Sequence, residues 1–137
     1  MREILYRGKT KEGKWVYGFY LRATHHYQNP KGIHEDWIVA SAVQQGGWVN
    51  LARKFAVLPE TLGQSTGLPD SHGNKIFEGD KLRFVQPIEG FDSVLDVVWH
   101  DTGWCVKEHG FNPEPLLGKY AKDMEIVGNI YDTPELI

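Results

Sequence analysis

The sequence predicts a mainly β fold with minor helix, arranged as two lobes, and two observations carry that prediction. Short runs rich in Val, Ile, Tyr, Phe and Trp recur along the chain, with turn signatures of Gly, Asp, Asn or Pro between them. The composition is also that of a folded chain: 41% hydrophobic residues, 24% charged residues and five tryptophans in 137 residues exclude a disordered tail and suffice for a buried core. Strand number alone admits a small closed barrel or an open sandwich for the C-terminal half.

Residues 1–62 form the predicted N-terminal lobe. Glu3 to Arg7 and Trp15 to Tyr20 are strand formers on either side of a Thr10-Lys11-Glu12-Gly13 turn, which makes a β-hairpin. His25 to Glu35 reads as a polar loop with a turn at Asn29-Pro30-Lys31-Gly32, the segment expected to move most. Trp37 to Ala42 is a strand and Gln45-Gly46-Gly47 a turn. Trp48 to Asn50 and Phe55 to Val57 read as two further short strands, closed by Pro59, and Glu60 to Gly63 links to the second lobe.

Residues 63–137 open with a dense cassette, GQSTGLPDSHGNKIFEGD, from Gly63 to Asp80. Gly67 and Gly73 can take positive φ without steric cost, and Asp70-Ser71-His72-Gly73 has an Asx-type turn opener, so the chain is expected to reverse there. The reversal turns Ile76 and Phe77 inward. Glu78-Gly79-Asp80 makes a second turn into the alternating strand Lys81 to Val85, where Leu82 and Phe84 share a face. After the loop Gln86 to Gly90 comes a hairpin, Val94 to Trp99 and Trp104 to Lys107 around His100-Asp101-Thr102-Gly103. Leu116 to Asp123 is given a helical turn or two, Met124 to Tyr131 the last strand, and Thr133-Pro134-Glu135 a capped terminal helix.

The motif residues Gly63, Gln64, Thr66, Gly67, Asp70, Gly73, Ile76, Phe77, Glu78, Gly79 and Asp80 do more than bend the chain. With Arg7-Gly8-Lys9, Trp15-Val16-Tyr17-Gly18 and Ile126 to Tyr131, they resemble the YopX family of phage and prophage proteins. The sequence carries that family's Thr-Gly-Leu step, its Asp-Gly turn and its Ile-Phe-Glu-Gly-Asp run. The resemblance implies an SH3-like β-barrel in the C-terminal lobe, a bacterial host and an accessory role with no assigned reaction.

The chemistry of known enzyme motifs is missing. Glycine-rich phosphate and dinucleotide loops, paired cysteines and H-E-x-x-H are all absent from the sequence. Asp70, Glu78 and Asp80 are read as turn carboxylates that accept backbone N–H groups; the alternative makes them, with His72, the site of a metal-dependent enzyme. His25-His26 with His34 and Asp36 is a second grouping of metal-type residues, but neighbours in an extended segment point apart. His100-Asp101 has no nucleophile beside it. Cys105, the single cysteine, lies in the apolar run Trp104-Cys105-Val106 and reads as a small buried hydrophobe, although Lys107 shares its face. No catalytic residue, metal ligand or cofactor is assigned, and a non-enzymatic role is expected.

Charge points to partners instead. Residues 1–63 hold nine Lys and Arg against five Asp and Glu, a net +4, while residues 64–137 hold six against thirteen, a net −7. Opposite halves can attract within one molecule or between copies, so the expected role is a protein-interaction module that binds itself or a phage or host protein. Nucleic acid is the alternative partner. Arg7, Lys9, Lys11, Lys14 and Trp15, with Arg22, Tyr6, Tyr17 and Tyr20, interleave the cations and rings that single strands use. No apolar run is long enough to cross a bilayer and Met1 to Ile4 has no signal-peptide core, so the expected location is the cytoplasm, without a membrane partner.

Overall fold

The structure, a computed structural model, describes residues 3–24 and 34–137. Among these residues it is mainly β and antiparallel, with one 3-10 turn and one α-helical turn, and it divides into two compact units, residues 3–64 and 65–137. No helix among the described residues is long and apolar enough to cross a membrane.

In residues 3–64, β1 (Tyr6–Lys9), β2 (Trp15–Thr24), β3 (His34–Gln45) and β4 (Trp48–Ala56) form a meander. The start of β5 (Gly63–Pro69) flanks β1 through Gly63 and Gln64. The β1–β2 hairpin closes with Gly13 at φ 86° and the Thr10 hydroxyl accepting the Lys14 N–H at 3.2 Å. Tyr20 opposes Ile38, which opposes Phe55, so the alternation of a strand puts Val16, Tyr20, Ile38, Phe55 and Val57 on one face. Val16, Ile38 and Val57 are buried there, packed by Tyr6, Tyr20, Phe55 and Leu62. A 3-10 turn, Pro59–Thr61, is tied to β1: the Thr61 hydroxyl accepts the Lys9 N–H at 2.8 Å and donates to the Leu58 carbonyl at 2.7 Å.

The β2–β3 register ends at Phe19 opposite Val39. From Ser41 to Arg53 the β3–β4 hairpin therefore continues as a two-stranded arm, with register shifts on either side of Ser41 and a Gly46-Gly47 tip where Gly46 has φ 60°. This corrects two expectations. The two short strands expected at Trp48 and Phe55 are one strand, because Asn50, Arg53 and Lys54, weak strand formers, are held by pairing with β3. His34 and Glu35 belong to β3 rather than to a loop, and the rest of that expected loop, residues 25–33, lies outside the described residues.

In residues 65–137, β5 pairs with β6 (Lys75–Phe77), opposing Ser65 to Phe77 and Pro69 to Lys75. A second sheet has the order β10-β9-β8-β7-β11, from β7 (Asp80–Phe84), β8 (Leu95–His100), β9 (Gly103–Glu108), β10 (Glu114–Pro115) and β11 (Met124–Asn129). The pairing recorded among the described residues leaves β10 and β11 unjoined; a closed barrel is not part of it. Ile76, Leu82, Leu95, Val97, Val106, Leu116, Ala121 and Met124 form the core, with Phe84, Phe91, Trp104 and Ile126 packed against it. Each such large side chain contributes about 1.5–3 kcal/mol by leaving water. Lys81, only 2% exposed, places Nζ 2.8 Å from Asp96 Oδ1 on the neighbouring strand.

The helical turn falls at α1 (Gly118–Ala121). The terminal helix expected at Thr133 is absent. Instead the Thr133 hydroxyl accepts the Asn129 N–H and donates to the Asn129 carbonyl, both at 3.0 Å, which commits the threonine to a turn closing β11.

Candidate functional site

The cassette is organised around carboxylates that face backbone. Asp70 Oδ1 accepts the N–H groups of His72 and Asn74, both at 2.9 Å, and Oδ2 accepts the Ile126 N–H at 3.2 Å. Burial opposes its charge, but the bonds from Asn74, Ile126 and His72 outweigh that and hold the carboxyl below its ordinary value. The turn itself closes with the Gly73 N–H on the Asp70 carbonyl and Gly73 at φ 82°. Upstream, the Thr66 hydroxyl accepts the Leu68 N–H at 3.1 Å and Gly67 takes φ 81°. Ile76 and Phe77 are buried, as the reversal requires. Asp80 Oδ2 accepts the Phe77 N–H at 2.7 Å across the Glu78-Gly79 turn, and burial pushes the Glu78 carboxyl up.

Among the described residues, no three His, Cys, Asp or Glu side chains are placed to hold a metal ion. His72 Nε2 lies 3.2 Å from Glu125 Oε2, at the surface. His100 and Asp101 sit exposed at a hairpin tip, with Nε2 3.4 Å from Oδ2. Cys105 is buried, its Sγ 3.8 Å from the Gly103 carbonyl. His25 and His26 lie outside the described residues. Asp36 has a different role: it accepts the Tyr20 hydroxyl, and Arg22 Nε lies 3.4 Å from the same oxygen. The Tyr20 bond, against burial and with help from Arg22, holds Asp36 below the usual carboxylate value.

A second surface is the outward face of the β1–β4 sheet. Lys9 opposes Trp15 and Arg7 opposes Tyr17; Phe19 opposes Val39, and Val39 opposes Lys54; Leu21 opposes Trp37. These residues therefore share the face turned away from Val16 and Ile38. The Arg7 guanidinium carbon lies 4.6 Å and the Lys9 Nζ 5.5 Å from the Trp15 ring centre, and Lys54 Nζ lies 5.9 Å from that of Trp37. Tyr17, Phe19 and Leu21 are exposed in sequence along β2, Phe19 to 66%. The structure thus brings Arg7, Lys9 and Trp15 together, but Arg7 is buried, which removes it from the residues expected to contact a ligand. Lys14 leans to the opposite face, 5.7 Å from the Phe55 ring centre, and Lys11 is exposed in the turn.

Residues 65–137 also hold an apolar cleft of about 620 Å³, lined by Phe84, Phe91, Phe111, Leu116 and Tyr120, with Glu108 among its few polar groups.

The sequence matches the YopX protein family over residues 5–137. The chain belongs to the YopX family. It is also similar to a solved structure, described as the crystal structure of protein EF1440 from Enterococcus faecalis, at 20% identity, with a TM-score of 0.64 and 98% of each chain covered. At that identity the likeness speaks for the fold. No curated protein matches the sequence.

Within this YopX-family chain, sequence reasoning located the cassette but missed Phe19, Leu21, Trp37 and Lys54 as neighbours of Lys9 and Trp15. The alternation of Trp15, Tyr17, Phe19 and Leu21 was a usable signal for one strand. Lys54 and Trp37 join them through cross-strand register, which no local pattern encodes.

Proposed function

We propose that this YopX-family chain is a non-enzymatic phage or prophage accessory protein that self-associates, with the β3–β4 arm as the contact element. The observation that carries this reading is Trp48, 82% exposed beside the arm's tip. By register Val43 shares its face and Val49 lies on the other, and both are exposed. A protruding tryptophan with aliphatic neighbours is the kind of anchor on which interfaces concentrate their energy. β4 is also the outer strand of its sheet, with an edge open to pairing.

Charge supports a second copy as the occupant, since each chain carries a basic stretch of net +4 and an acidic stretch of net −7. In this reading the C-terminal unit is an SH3-like scaffold, and Asp70 and Asp80 keep its turns in place rather than perform a reaction. Sedimentation velocity over a wide concentration range tests it. The wild type is expected to form oligomers that Trp48→Ser shifts at least tenfold in concentration toward monomer. A wild-type chain that stays strictly monomeric at high concentration overturns the proposal.

A further inference from the structure

We propose that the outward face of the β1–β4 sheet binds single-stranded nucleic acid, with bases stacked on Phe19 and Tyr17 and phosphates held by Lys9, Lys54 and Lys11. This rests on a different surface from the arm and does not depend on self-association.

The stacking platform comes from strand geometry. Tyr17 and Phe19 are two residues apart on β2, so their Cα atoms are separated by about 7 Å along one face. Both rings are exposed, and the hydrophobic cluster of this unit lies on the opposite face of the sheet. Leu21, also exposed on this face, extends the apolar floor beside them. Aromatic platforms of this kind accept any base, because every base offers a π face.

Charge selects a polyanion over an apolar protein segment. Lys9 and Lys54 share the face, and Lys9 sits over Trp15, which holds its ammonium group at ring height beside the platform; Arg7, on the same ring, is itself buried and offers no contact to a ligand. Within β1 to β4 the only carboxylate that register places on this face is Glu35, at the far end, where it accepts the Trp37 Nε1–H at 3.1 Å. Lys11 is exposed in the hairpin turn beyond Lys9, next to the exposed Glu12. Unpaired strands fit better than a duplex. The platform is a sheet face rather than an element that enters a groove, and its rings need bases freed from pairing. Little side-chain hydrogen-bonding capacity faces outward among the rings, so weak sequence preference is expected.

Fluorescence anisotropy with labelled oligothymidylate, oligouridylate and a duplex of equal length, across a salt series, tests the proposal on the full chain. The single strands should bind more tightly than the duplex, and log K should fall linearly with log salt. Phe19→Ala, a change at an exposed position, should weaken binding about fivefold or more and leave the salt slope unchanged. The double change Lys9→Glu with Lys54→Glu should weaken binding and flatten the slope. Trp48→Ser should bind like the wild type, which keeps this result separate from the oligomer result. Circular dichroism establishes that each variant is folded. No binding at low salt, a preference for the duplex, or binding indifferent to Phe19→Ala overturns the proposal. So does a Phe19→Ala variant whose only change is a loss of oligomers, because that outcome assigns the face to a second copy.

Discussion

Residues 3–64 and residues 65–137 each hide a carboxylate, and they satisfy it differently. Asp36 is served by side chains, the Tyr20 hydroxyl and the Arg22 guanidinium, reaching across from β2. Asp70 is served by backbone, the N–H groups of His72, Asn74 and Ile126. The cores differ in the same sense: among the described residues, three buried side chains form the cluster of the first unit, Val16, Ile38 and Val57, against eight in the second. The contrast separates two tasks. The second unit fixes its backbone around a closely packed core, while the first spends much of its aromatic and aliphatic surface on an outward sheet face and a projecting arm.

The contrast breaks most visibly in the cores. Leu82→Ala removes a fully buried side chain from the larger cluster and should cost about 3–5 kcal/mol, whereas Ile38→Ala in the smaller cluster, which can relax more readily, should cost about 2–3 kcal/mol. Urea denaturation of both variants checks the order, and equal losses would erase the distinction between a deep and a thin core.

The carboxylates come next. Asp70→Ala leaves three backbone donors without their acceptor and should cost about 2–4 kcal/mol; Asp36→Asn keeps an acceptor for Tyr20 and should cost about 1–2 kcal/mol. Both carboxyls have folded values below their unfolded ones. Their contribution is therefore complete above the ordinary carboxylate pKa of about 4 and is lost as pH falls through the depressed folded values. Urea midpoints measured from neutral pH downward should fall, and the fall should be shallower in Asp70→Ala. A variant with the same acid limb as the wild type would assign the acid sensitivity to other groups.

The smallest effect belongs to the outward face. Phe19→Ala should change stability by no more than about 0.5 kcal/mol, since the ring is largely in water. A loss of 2 kcal/mol or more in thermal or urea unfolding would show the ring to be packed and would remove the platform on which the base-stacking proposal stands.

What could be read in the sequence follows the same divide. The Asp70 turn, Gly73 and the burial of Ile76 and Phe77 were legible because a turn is specified by residues next to one another. Asp36 invited comparison with metal ligands, since its true partners, Tyr20 and Arg22, lie more than a dozen positions away and meet it only through register. The continuity of β4 through Asn50 to Lys54 was hidden for the same reason. At Thr133 the local signal misled: a threonine followed by proline resembles a helix cap, but Asn129 supplies both hydrogen-bonding partners and the chain turns instead.

Lys81 and Leu82 are adjacent on β7, and both are almost wholly removed from solvent, so this strand is covered on its two sides by unlike surroundings. Slippage by one position would drive an ammonium group among Ile76, Val97 and Met124 and set a leucine against Asp96. The lysine thus works as a locating pin: it admits a single alignment of β7 between its neighbours and makes the misthreaded alternatives self-rejecting.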